Sequence, residues 1–280
     1  MSSKRVALIG SPLRRTHSAV MHNAAFDHFG IDARYDLVEI AAAELDPFFA
    51  AARSDDWLGF QVTAPYKQAA AARCDHVEAA ARMIGAVNSV QRLDDATLTG
   101  FNTDAPGFAR AVFAELDLHL VGAAVAVAGA GGAARAVIHA CLEAGARRVV
   151  VGARALERAE RLLAERGDQR LEAVELGDSF EGVLPEVDLA VNATTVGMTA
   201  AGTAFDPARL PPSSAVFDLV YVPPVTELVE AARAAGLVAA NGLAMLVAQA
   251  EIAFERWTGV AGAGGVMRRA LDRTSFANDA

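Results

Sequence analysis

The sequence predicts an α/β fold arranged in two domains. The chain has 280 residues, 53% of them hydrophobic and 21% charged, which is enough for two cores of ordinary size. Strand-like and helix-like segments alternate from the N-terminus, a pattern typical of helices layered on a largely parallel sheet. A second alternating series begins at residue 123, so we expect the domain boundary between residues 106 and 122.

Short apolar runs indicate the strands, and longer alanine- and leucine-rich segments between them indicate the helices. The first series predicts strands at residues 6–9, 35–40 and 57–62 and helices at 18–29 and 43–53. The second series predicts strands at 125–128, 148–151, 189–192 and 216–219 and helices at 133–143, 156–166 and 226–235. A last helix, 243–257, follows Asn241-Gly242.

Charge and cysteine content limit the classes of partner. A net charge of −9 argues against nucleic acid or an anionic membrane surface, although a local basic group can still attract a small anionic substrate. Cys74 and Cys141 lie far apart and are expected to be free thiols of a cytoplasmic protein. The stretch at 120–134 is shorter than the roughly 18 apolar residues of a spanning helix.

Lysine is almost absent from this chain. Of the 25 basic residues, only Lys4 and Lys67 are lysines, and the rest are arginines. An arginine cannot release its proton in a protein, whereas a lysine can be tuned to do so. Lys67 is therefore a candidate acid/base group, and an ordinary surface lysine is the alternative.

A glycine-rich turn follows the strand at 125–128. The run Gly129-Ala-Gly131-Gly132-Ala133-Ala134-Arg135 fits G-x-G-x-x-G/A. Gly129 permits the tight turn, Gly131 lets the backbone approach a pyrophosphate, and Ala134 lets helix and strand pack closely. The helix that follows offers unpaired N–H groups to the phosphates. Because the run lies within a βαβ unit, we expect a dinucleotide site that includes Gly132 and Ala133.

The end of the next strand bears on the choice of cofactor. An NAD site usually has Asp or Glu there, about 20 residues after the glycines, to bind the ribose 2′-hydroxyl. This chain instead reads Gly152-Ala153-Arg154, with Arg158 one helical turn later. Planar guanidinium groups suit a 2′-phosphate, so we predict NADP, with NAD as the alternative. The alternative is that both arginines only solvate the start of the helix, where Glu157 lies beside them.

Two catalytic arrangements that are common in reductases, a Tyr-x-x-x-Lys pair and a catalytic zinc ion, are disfavoured. None of the three tyrosines has a lysine four residues later, and the Cys and His residues are too scattered for a zinc site. What remains is a series of polar blocks. They are residues 10–23 (GSPLRRTHSAVMHN), 60–67 (FQVTAPYK), 84–89 (IGAVNS), 100–104 (GFNTD), 192–198 (NATTVGM) and 242–249 (GLAMLVAQ).

In this order, and over nearly the whole chain, these blocks resemble the shikimate dehydrogenase family. The resemblance implies reversible hydride transfer between NADP and the ring carbonyl of 3-dehydroshikimate, giving shikimate. It also implies an N-terminal α/β substrate domain at 1–106 and an NADP-binding Rossmann domain at 107–240. The C-terminal helices at 241–280 would return to the first domain.

The resemblance assigns roles residue by residue. Lys67 would be the principal acid/base group and Asp104 would orient it, a pairing for which a surface salt bridge is the alternative. Thr63-Ala64-Pro65 breaks its strand and would present Lys67 at the carboxyl edge of the sheet. The other expected substrate residues are Thr16 and Ser18 for the carboxylate, Thr63, Asn88, Asp104 and Gln249 for the ring hydroxyls, and Tyr221.

The nicotinamide would lie near four residues of the second domain: Asn192, Thr194, Val220 and Gly242. The alternative for Asn88 and Asn192 is turn formation. His17 and His22 lie among the polar blocks without a metal-ligand partner at a suitable spacing, and we interpret them as helix-start or packing residues.

Departures from the family pattern leave the substrate open. Thr16 stands where serine is usual, Gln61 where asparagine is usual, and Ala153 and Ala155 flank Arg154 where Asn and Thr are common. One methylene in a pocket changes discrimination by about 1–3 kcal/mol, enough to favour quinate or an amino-substituted analogue. The lost side chains around Arg154 would weaken selection of NADP over NAD. A ligand-sensing protein without turnover is the remaining alternative, and the chain is expected to be a monomer or homodimer.

Overall fold

The computed structural model describes residues 3–13 and 16–277, with side chains as far as residue 273. Two residues of the first polar block, Arg14 and Arg15, lie outside the described residues. Contacts divide the chain into two compact units. The first unit is Met1–Thr103 with Val247–Ala280, and the second is Asp104–Leu246.

The elements in the first half of the chain are β1 (Lys4–Gly10), α1 (Ser18–Phe29), β2 (Ala33–Glu39), α2 (Leu45–Ala51), β3 (Trp57–Val62), α3 (Lys67–Ala71), β4 (His76–Val77), α4 (Ala79–Ile84), β5 (Ser89–Arg92), β6 (Leu98–Phe101) and α5 (Asp104–Leu116). The remaining elements are β7 (Ala124–Ala128), α6 (Gly132–Glu143), β8 (Arg148–Ala153), α7 (Leu156–Arg166), β9 (Leu171–Glu175), α8 (Asp178–Glu181), β10 (Leu189–Asn192), β11 (Ala215–Asp218), α9 (Glu227–Ala234), β12 (Val238–Asn241), α10 (Leu243–Thr258) and α11 (Gly264–Ala277). Short 3₁₀ helices cover Ala42–Glu44, Leu184–Glu186 and Pro207–Arg209.

The sheet of the first unit has the strand order β2-β1-β3-β5-β6-β4. β1 runs parallel to β2 and β3, and β5 runs antiparallel to β3 and β6. The carboxyl ends of β1 and β3 therefore meet the beginning of β5 at one edge of the sheet. The polar blocks at 10–23, 60–67 and 84–89 adjoin this edge.

Both faces of this sheet are buried at its centre, because consecutive residues of β1 and β3, whose side chains point to opposite faces, are buried. One face packs into a core that includes Ile9, Phe60 and Val62. The other face lies beneath α1 and α10, where His22 stacks on Tyr35 and Trp257 covers Gly59. The expected return of the C-terminal helices is confirmed, since α11 packs against α1 in the first unit.

The sheet of the second unit consists of six parallel strands in the order β9-β8-β7-β10-β11-β12. All five residues of β7 are buried, as expected for a parallel sheet covered by helices on both faces. After β7 the chain adds β8 and β9 on one side and then β10, β11 and β12 on the other, so the strand order reverses between β7 and β10. This reversal creates the topological switch point where open α/β sheets bind ligands. The predicted α/β class is confirmed.

Among residues 3–13 and 16–277, none of the helices combines the length and apolar character that crossing a bilayer requires. The same residues contain no group of three or more His, Cys, Asp or Glu side chains that could hold a metal ion.

Gly59 lies where α10 approaches the first sheet closely. A Cβ at this position would overlap the Val90 carbonyl oxygen and the indole of Trp257. We expect Gly59→Ala to lower the free energy of unfolding by about 3 kcal/mol, because backbone and indole would both have to move. Chemical denaturation measures this change.

The matched control is Gly265→Ala, near the start of α11. Its Cβ would meet only the flexible end of Arg269, and alanine favours helix, so the variant should be neutral or more stable by up to about 1 kcal/mol. Equal stability of the two variants would contradict the close approach.

Candidate active site

Thr63 and Lys67 lie at the carboxyl edge of the first sheet. The Thr63 N–H donates to the Ile9 carbonyl (2.9 Å), which ties the loop after β3 to the end of β1. Lys67 is half-buried and begins α3, and its carbonyl accepts from the Val87 N–H (2.8 Å). These backbone bonds fix the Lys67 main chain beside the block that contains Asn88.

Thr16 and Ser18 meet at the start of α1. Their hydroxyl oxygens are 3.1 Å apart, and the Ser18 N–H donates to the Thr16 hydroxyl (3.3 Å). Ser18 is buried and Thr16 is half-buried. The Ser11 N–H donates to the Ala64 carbonyl (3.2 Å), so the loop that follows β1 lies against the loop that contains Thr63.

Asn88 cross-links two polar blocks. Its side-chain carbonyl accepts from the Thr103 N–H (2.8 Å), and its amide donates to the Thr103 hydroxyl (2.9 Å). The Thr103 hydroxyl lies 3.3 Å from Oε1 of Gln249 on α10. All three side chains are buried, and Thr103 joins the predicted substrate residues Asn88 and Gln249 in one hydrogen-bonded set within the first unit.

Gln61 turns inward at the end of β3. Its Oε1 accepts from the Tyr35 hydroxyl (2.7 Å), and its Nε2 donates to Oε1 of Gln249 (2.7 Å). The side chain is 3% exposed. Gln61, which stands where the family usually has asparagine, therefore contacts Gln249, an expected ligand-binding residue.

His22 is a packing residue, as the sequence indicated. Its ring is fully buried and stacks on Tyr35 with the ring centroids 4.4 Å apart. Neither ring nitrogen has a hydrogen-bond partner of good geometry. Burial lowers the pKa of His22 to about 3, and the nearby Gln61 amide offsets this effect only in part.

The glycine-rich turn lies at the switch point of the second sheet. Gly129 has φ 118°, a conformation that favours glycine, and a Cβ there would lie 2.9 Å from the Ala193 carbonyl oxygen. Gly131 caps α6, with open space where its side chain would be. Gly132 and Ala133 form the first turn of α6, and Ala134 is buried against the strand.

Arg154 and Arg158 are exposed beyond the end of β8, the strand next to β7. Ala155 is the N-cap residue that precedes α7, and it provides no side-chain cap because alanine has no hydrogen-bond acceptor in its side chain. Arg135, which follows the glycines, is bound to Glu165 of α7 (2.7 Å). Residues 152–154 at the strand end therefore include a guanidinium group and no carboxylate, while Glu157 lies beside Arg158 at the start of α7.

Asn192 and Thr194 form successive turns at the end of β10. The Asn192 side-chain carbonyl accepts from the N–H (3.0 Å) and the hydroxyl (2.7 Å) of Thr194, whose hydroxyl accepts from the Val196 N–H (3.1 Å). Turn formation thus accounts for the Asn192 carbonyl, while its amide donates to Asp218 (2.8 Å).

Asp218 is a buried carboxylate that the sequence interpretation missed. It accepts hydrogen bonds from the Thr226 hydroxyl (2.6 Å), the Val220 N–H (3.0 Å) and the Asn192 amide. Burial raises the pKa of Asp218, and these three hydrogen bonds act in the opposite direction. A single acid within the apolar run 215–220 was the signal that could have identified it.

The loop after β11 carries two more predicted residues. The Gly242 N–H donates to the Val220 carbonyl (3.3 Å), and a Cβ on Gly242 would overlap the Leu219 carbonyl oxygen. Tyr221 is half-buried in the same loop.

Asp104 is 6% exposed and begins α5 in the second unit, whereas Lys67 belongs to the first, so their catalytic pairing stays a prediction.

Family models match three parts of the chain. The shikimate dehydrogenase substrate-binding domain matches residues 8–90, shikimate/quinate 5-dehydrogenase matches 110–203, and the shikimate 5′-dehydrogenase C-terminal domain matches 242–271. A shikimate dehydrogenase (NADP(+)) of Citrifermentans bemidjiense is 42% identical, over 96% of this chain and 94% of the relative.

Solved structures agree with this comparison. Shikimate 5-dehydrogenase of Thermus thermophilus, in complex with NADP(H) and shikimate, is similar with a TM-score of 0.87 and 37% identity, over 96% of this chain and 99% of that one. Quinate dehydrogenase of Corynebacterium glutamicum, in complex with NAD, has a TM-score of 0.88 and 33% identity, over 96% and 98%.

The fold and the glycine-rich switch point are those of a dinucleotide-binding α/β protein. With the comparisons, the assignment is more specific: the chain belongs to the shikimate dehydrogenase family, as the polar blocks predicted.

Asp218 gives a prediction for the second unit. Asp218→Ala leaves three buried donors without an acceptor, and we expect it to lower the free energy of unfolding by about 3 kcal/mol. NADP affinity should fall as well, because Asn192 and Val220 lose their common partner. Denaturation and calorimetric titration measure the two effects.

The control is Asp188→Ala in the same unit, where a half-exposed carboxylate accepts from the Ala124 N–H. Its loss should cost less, about 1 kcal/mol, and leave NADP affinity unchanged. An Asp218→Ala protein as stable as the control would refute the organising role of this carboxylate.

His22 gives a prediction about pH. Its folded-state pKa of about 3 lies below the unfolded value of 6.5, so below pH 6.5 the unfolded chain takes up a proton that the folded protein does not. This stabilising contribution is fully present above pH 6.5 and is lost as pH falls towards 3, at up to about 1.4 kcal/mol per pH unit.

Unfolding measured between pH 6.5 and 5 should therefore be less pH-dependent in His22→Leu than in the wild type. His28→Gln, at an exposed position of the same helix, controls for loss of an imidazole. Identical pH slopes in the wild type and His22→Leu would show that His22 does not make this contribution.

Proposed function

We propose that this protein is an NADP-dependent shikimate dehydrogenase that reversibly reduces 3-dehydroshikimate to shikimate. The observation that carries the proposal is the hydrogen-bonded set of Asn88, Thr103 and Gln249 at the sheet edge where Lys67 begins α3. Buried polar side chains that bind hydroxyls select polyol substrates, because an analogue without them leaves those side chains unpaired. The activity named for the relatives supports this substrate.

Lys67 is the proposed proton donor and acceptor. When shikimate is oxidised, its reacting hydroxyl gives up a proton as the carbon gives up a hydride, and in reduction the same oxygen takes up a proton. Lys67 is one of only two lysines, and its main chain is fixed by the Val87 N–H. Asp104, next to Thr103 in the chain, is proposed to orient Lys67 and share its proton.

The proposed carboxylate site consists of Thr16 and Ser18. Their hydroxyls lie side by side at the N-terminus of α1, where the helix dipole also favours an anion. Thr63 and Tyr221 complete the proposed substrate contacts. The proposed substrate domain is residues 1–106 with 241–280, and the proposed dinucleotide domain is residues 107–240.

NADP is the proposed cofactor, and it supplies or accepts the hydride. The open space beside Gly131 leaves room for a pyrophosphate against the N-terminus of α6, and Arg154 and Arg158 suit a 2′-phosphate. Asn192, Thr194, Val220 and Gly242 are proposed to lie near the nicotinamide. The relative and the Thermus structure, named with NADP, support this choice.

A second candidate is a dehydrogenase that acts on quinate, with NAD as cofactor. The quinate dehydrogenase of Corynebacterium glutamicum, in complex with NAD, is structurally similar. Ala155, which cannot cap α7 with its side chain, removes one contact that could distinguish the two cofactors. The lack of a carboxylate at the end of β8 favours NADP.

We propose the cytoplasm as the location, since Cys74 and Cys141 are both free thiols. The net charge of −9 supports a small-molecule substrate over nucleic acid. The protein is proposed to act as a monomer or a homodimer.

The test is a kinetic panel with shikimate and quinate, each with NADP and with NAD, monitored by absorbance of the reduced nicotinamide. We expect kcat/KM to be highest for shikimate with NADP. Lys67→Arg keeps the positive charge but cannot release a proton, so it should lower kcat by about 10²–10⁴-fold and leave NADP binding unchanged.

Lys4→Arg is the matched control, because it replaces the other lysine at an exposed position. Its kcat should equal that of the wild type. No turnover of shikimate by the wild type would eliminate the substrate assignment. Full activity of Lys67→Arg would eliminate the role of Lys67.

A further inference from the structure

The loop between β11 and α9, residues 219–226, contains Val220 and Tyr221, which the proposed function places beside the nicotinamide and the substrate. Two consecutive prolines, Pro223 and Pro224, follow in the same loop. Because proline has no N–H, the main chain at these residues can accept hydrogen bonds but cannot donate them. A hydrogen bond that holds this stretch must therefore come from a donor outside the two prolines.

Three polar residues end adjacent strands of the second sheet. They are Asn192, Asp218 and Asn241, the last residues of β10, β11 and β12, and the register pairs each with the next. Asp218 holds the two ends of the loop through the Val220 N–H and the Thr226 hydroxyl. Asn241, on the next strand, reaches the prolines between those ends.

The Asn241 side chain binds two backbone groups. Its amide nitrogen donates to the Pro224 carbonyl (2.5 Å), and its oxygen accepts from the Leu243 N–H (3.0 Å) at the start of α10. A backbone carbonyl can only accept and a backbone N–H can only donate, so both ends of the amide have a fixed role. A reversed amide would place two donors together at one end and two acceptors together at the other.

Gly242 contacts the beginning of the same loop. Its N–H donates to the Val220 carbonyl (3.3 Å), and a Cβ on Gly242 would overlap the Leu219 carbonyl oxygen. The carbonyls of Val220 and Pro224 are thus both bound by the dipeptide Asn241-Gly242, which we call the Asn-Gly clamp. The clamp holds the loop at two points that lie four residues apart in the chain.

Tyr221 lies within the stretch that the Asn-Gly clamp spans. We propose that Asn241 is a positioning residue that acts through Tyr221, because it sets where the loop presents Tyr221 to the substrate. Val220, beside the proposed nicotinamide position, is held instead by Asp218 and by the Gly242 N–H, which do not involve the Asn241 side chain. This inference rests on the proposed function, in which Tyr221 contacts the substrate.

Asn241→Asp separates the two hydrogen bonds of Asn241. The carboxylate has nearly the same shape, and one oxygen still accepts from the Leu243 N–H, while the other faces the Pro224 carbonyl and cannot donate. We expect the KM for shikimate to rise about tenfold, the equivalent of one hydrogen bond of about 1.4 kcal/mol, and the KM for NADP to stay within about twofold. Steady-state kinetics of shikimate oxidation measure both constants.

Asp206→Ala is the matched control. Asp206 is exposed in the second unit, and its side chain also holds a nearby backbone group, the Ala208 N–H (3.0 Å). This residue has no part in the Asn-Gly clamp. Its loss should leave the KM for shikimate and the KM for NADP unchanged.

A double-mutant cycle tests whether Asn241 acts through Tyr221. Tyr221→Phe removes the proposed substrate contact, so in this background Asn241→Asp should change the KM for shikimate by less than about twofold. An equal effect in both backgrounds would overturn the inference, and so would a KM for NADP that rises as much as that for shikimate. A KM for shikimate that stays within about twofold of the wild type in the single variant would overturn it as well.

Crystal structures of the substrate-free wild type and Asn241→Asp proteins separate failure of this inference from failure of the proposed function. In the variant we expect the Pro224 carbonyl to lie beyond hydrogen-bond distance of residue 241, more than about 3.5 Å away, with the Tyr221 main chain displaced. A loop in the same place in both proteins would refute the clamp. A displaced loop in the variant, combined with no turnover of shikimate by the wild type, would refute the proposed function alone.

Discussion

The arrangement of the buried polar side chains at the sheet edge of the first unit depends on the hydrogen bond from the Thr103 N–H to Asn88. A backbone donor cannot exchange its role, whereas a side-chain amide can rotate to present either end. The fixed donor therefore decides the orientation of Asn88, whose amide donates to the Thr103 hydroxyl, and this hydroxyl in turn contacts Gln249. Burial strengthens this constraint, because a mismatched pair of buried polar groups has no water to replace the lost hydrogen bond.

In the second unit, a carboxylate holds the neighbouring polar groups in place. Asp218 accepts from a side-chain amide, a hydroxyl and a backbone N–H, and it joins the ends of β10 and β11 to the start of α9. In both units, polar residues at the carboxyl edge of the strands are first satisfied inside the protein. These side chains are therefore held in place before any ligand binds, so binding would require little further ordering of them.

Much of the fold followed from the sequence, and so did the family. The helices at Ser18–Phe29 and Leu156–Arg166 have the expected ends, because glycine follows each of them in the left-handed conformation. The helix expected at 43–53 begins as a 3₁₀ turn and ends at residue 51. The antiparallel strand β5 was not predicted, since its pairing with β3 is a long-range contact that no local pattern records. The inward turn of Gln61 depends on Tyr35 and Gln249, which are distant in the chain, and only the folded structure brings them together.

The measurement that tests this account most directly is a crystal structure of the protein with shikimate bound. The account predicts that the side-chain amide of Gln249 lies about 3 Å from a ring hydroxyl oxygen and that Nζ of Lys67 lies at a similar distance from the hydroxyl to be oxidised. Thr16 and Ser18 would contact the carboxylate in the same complex. Shikimate bound away from these side chains would contradict the account.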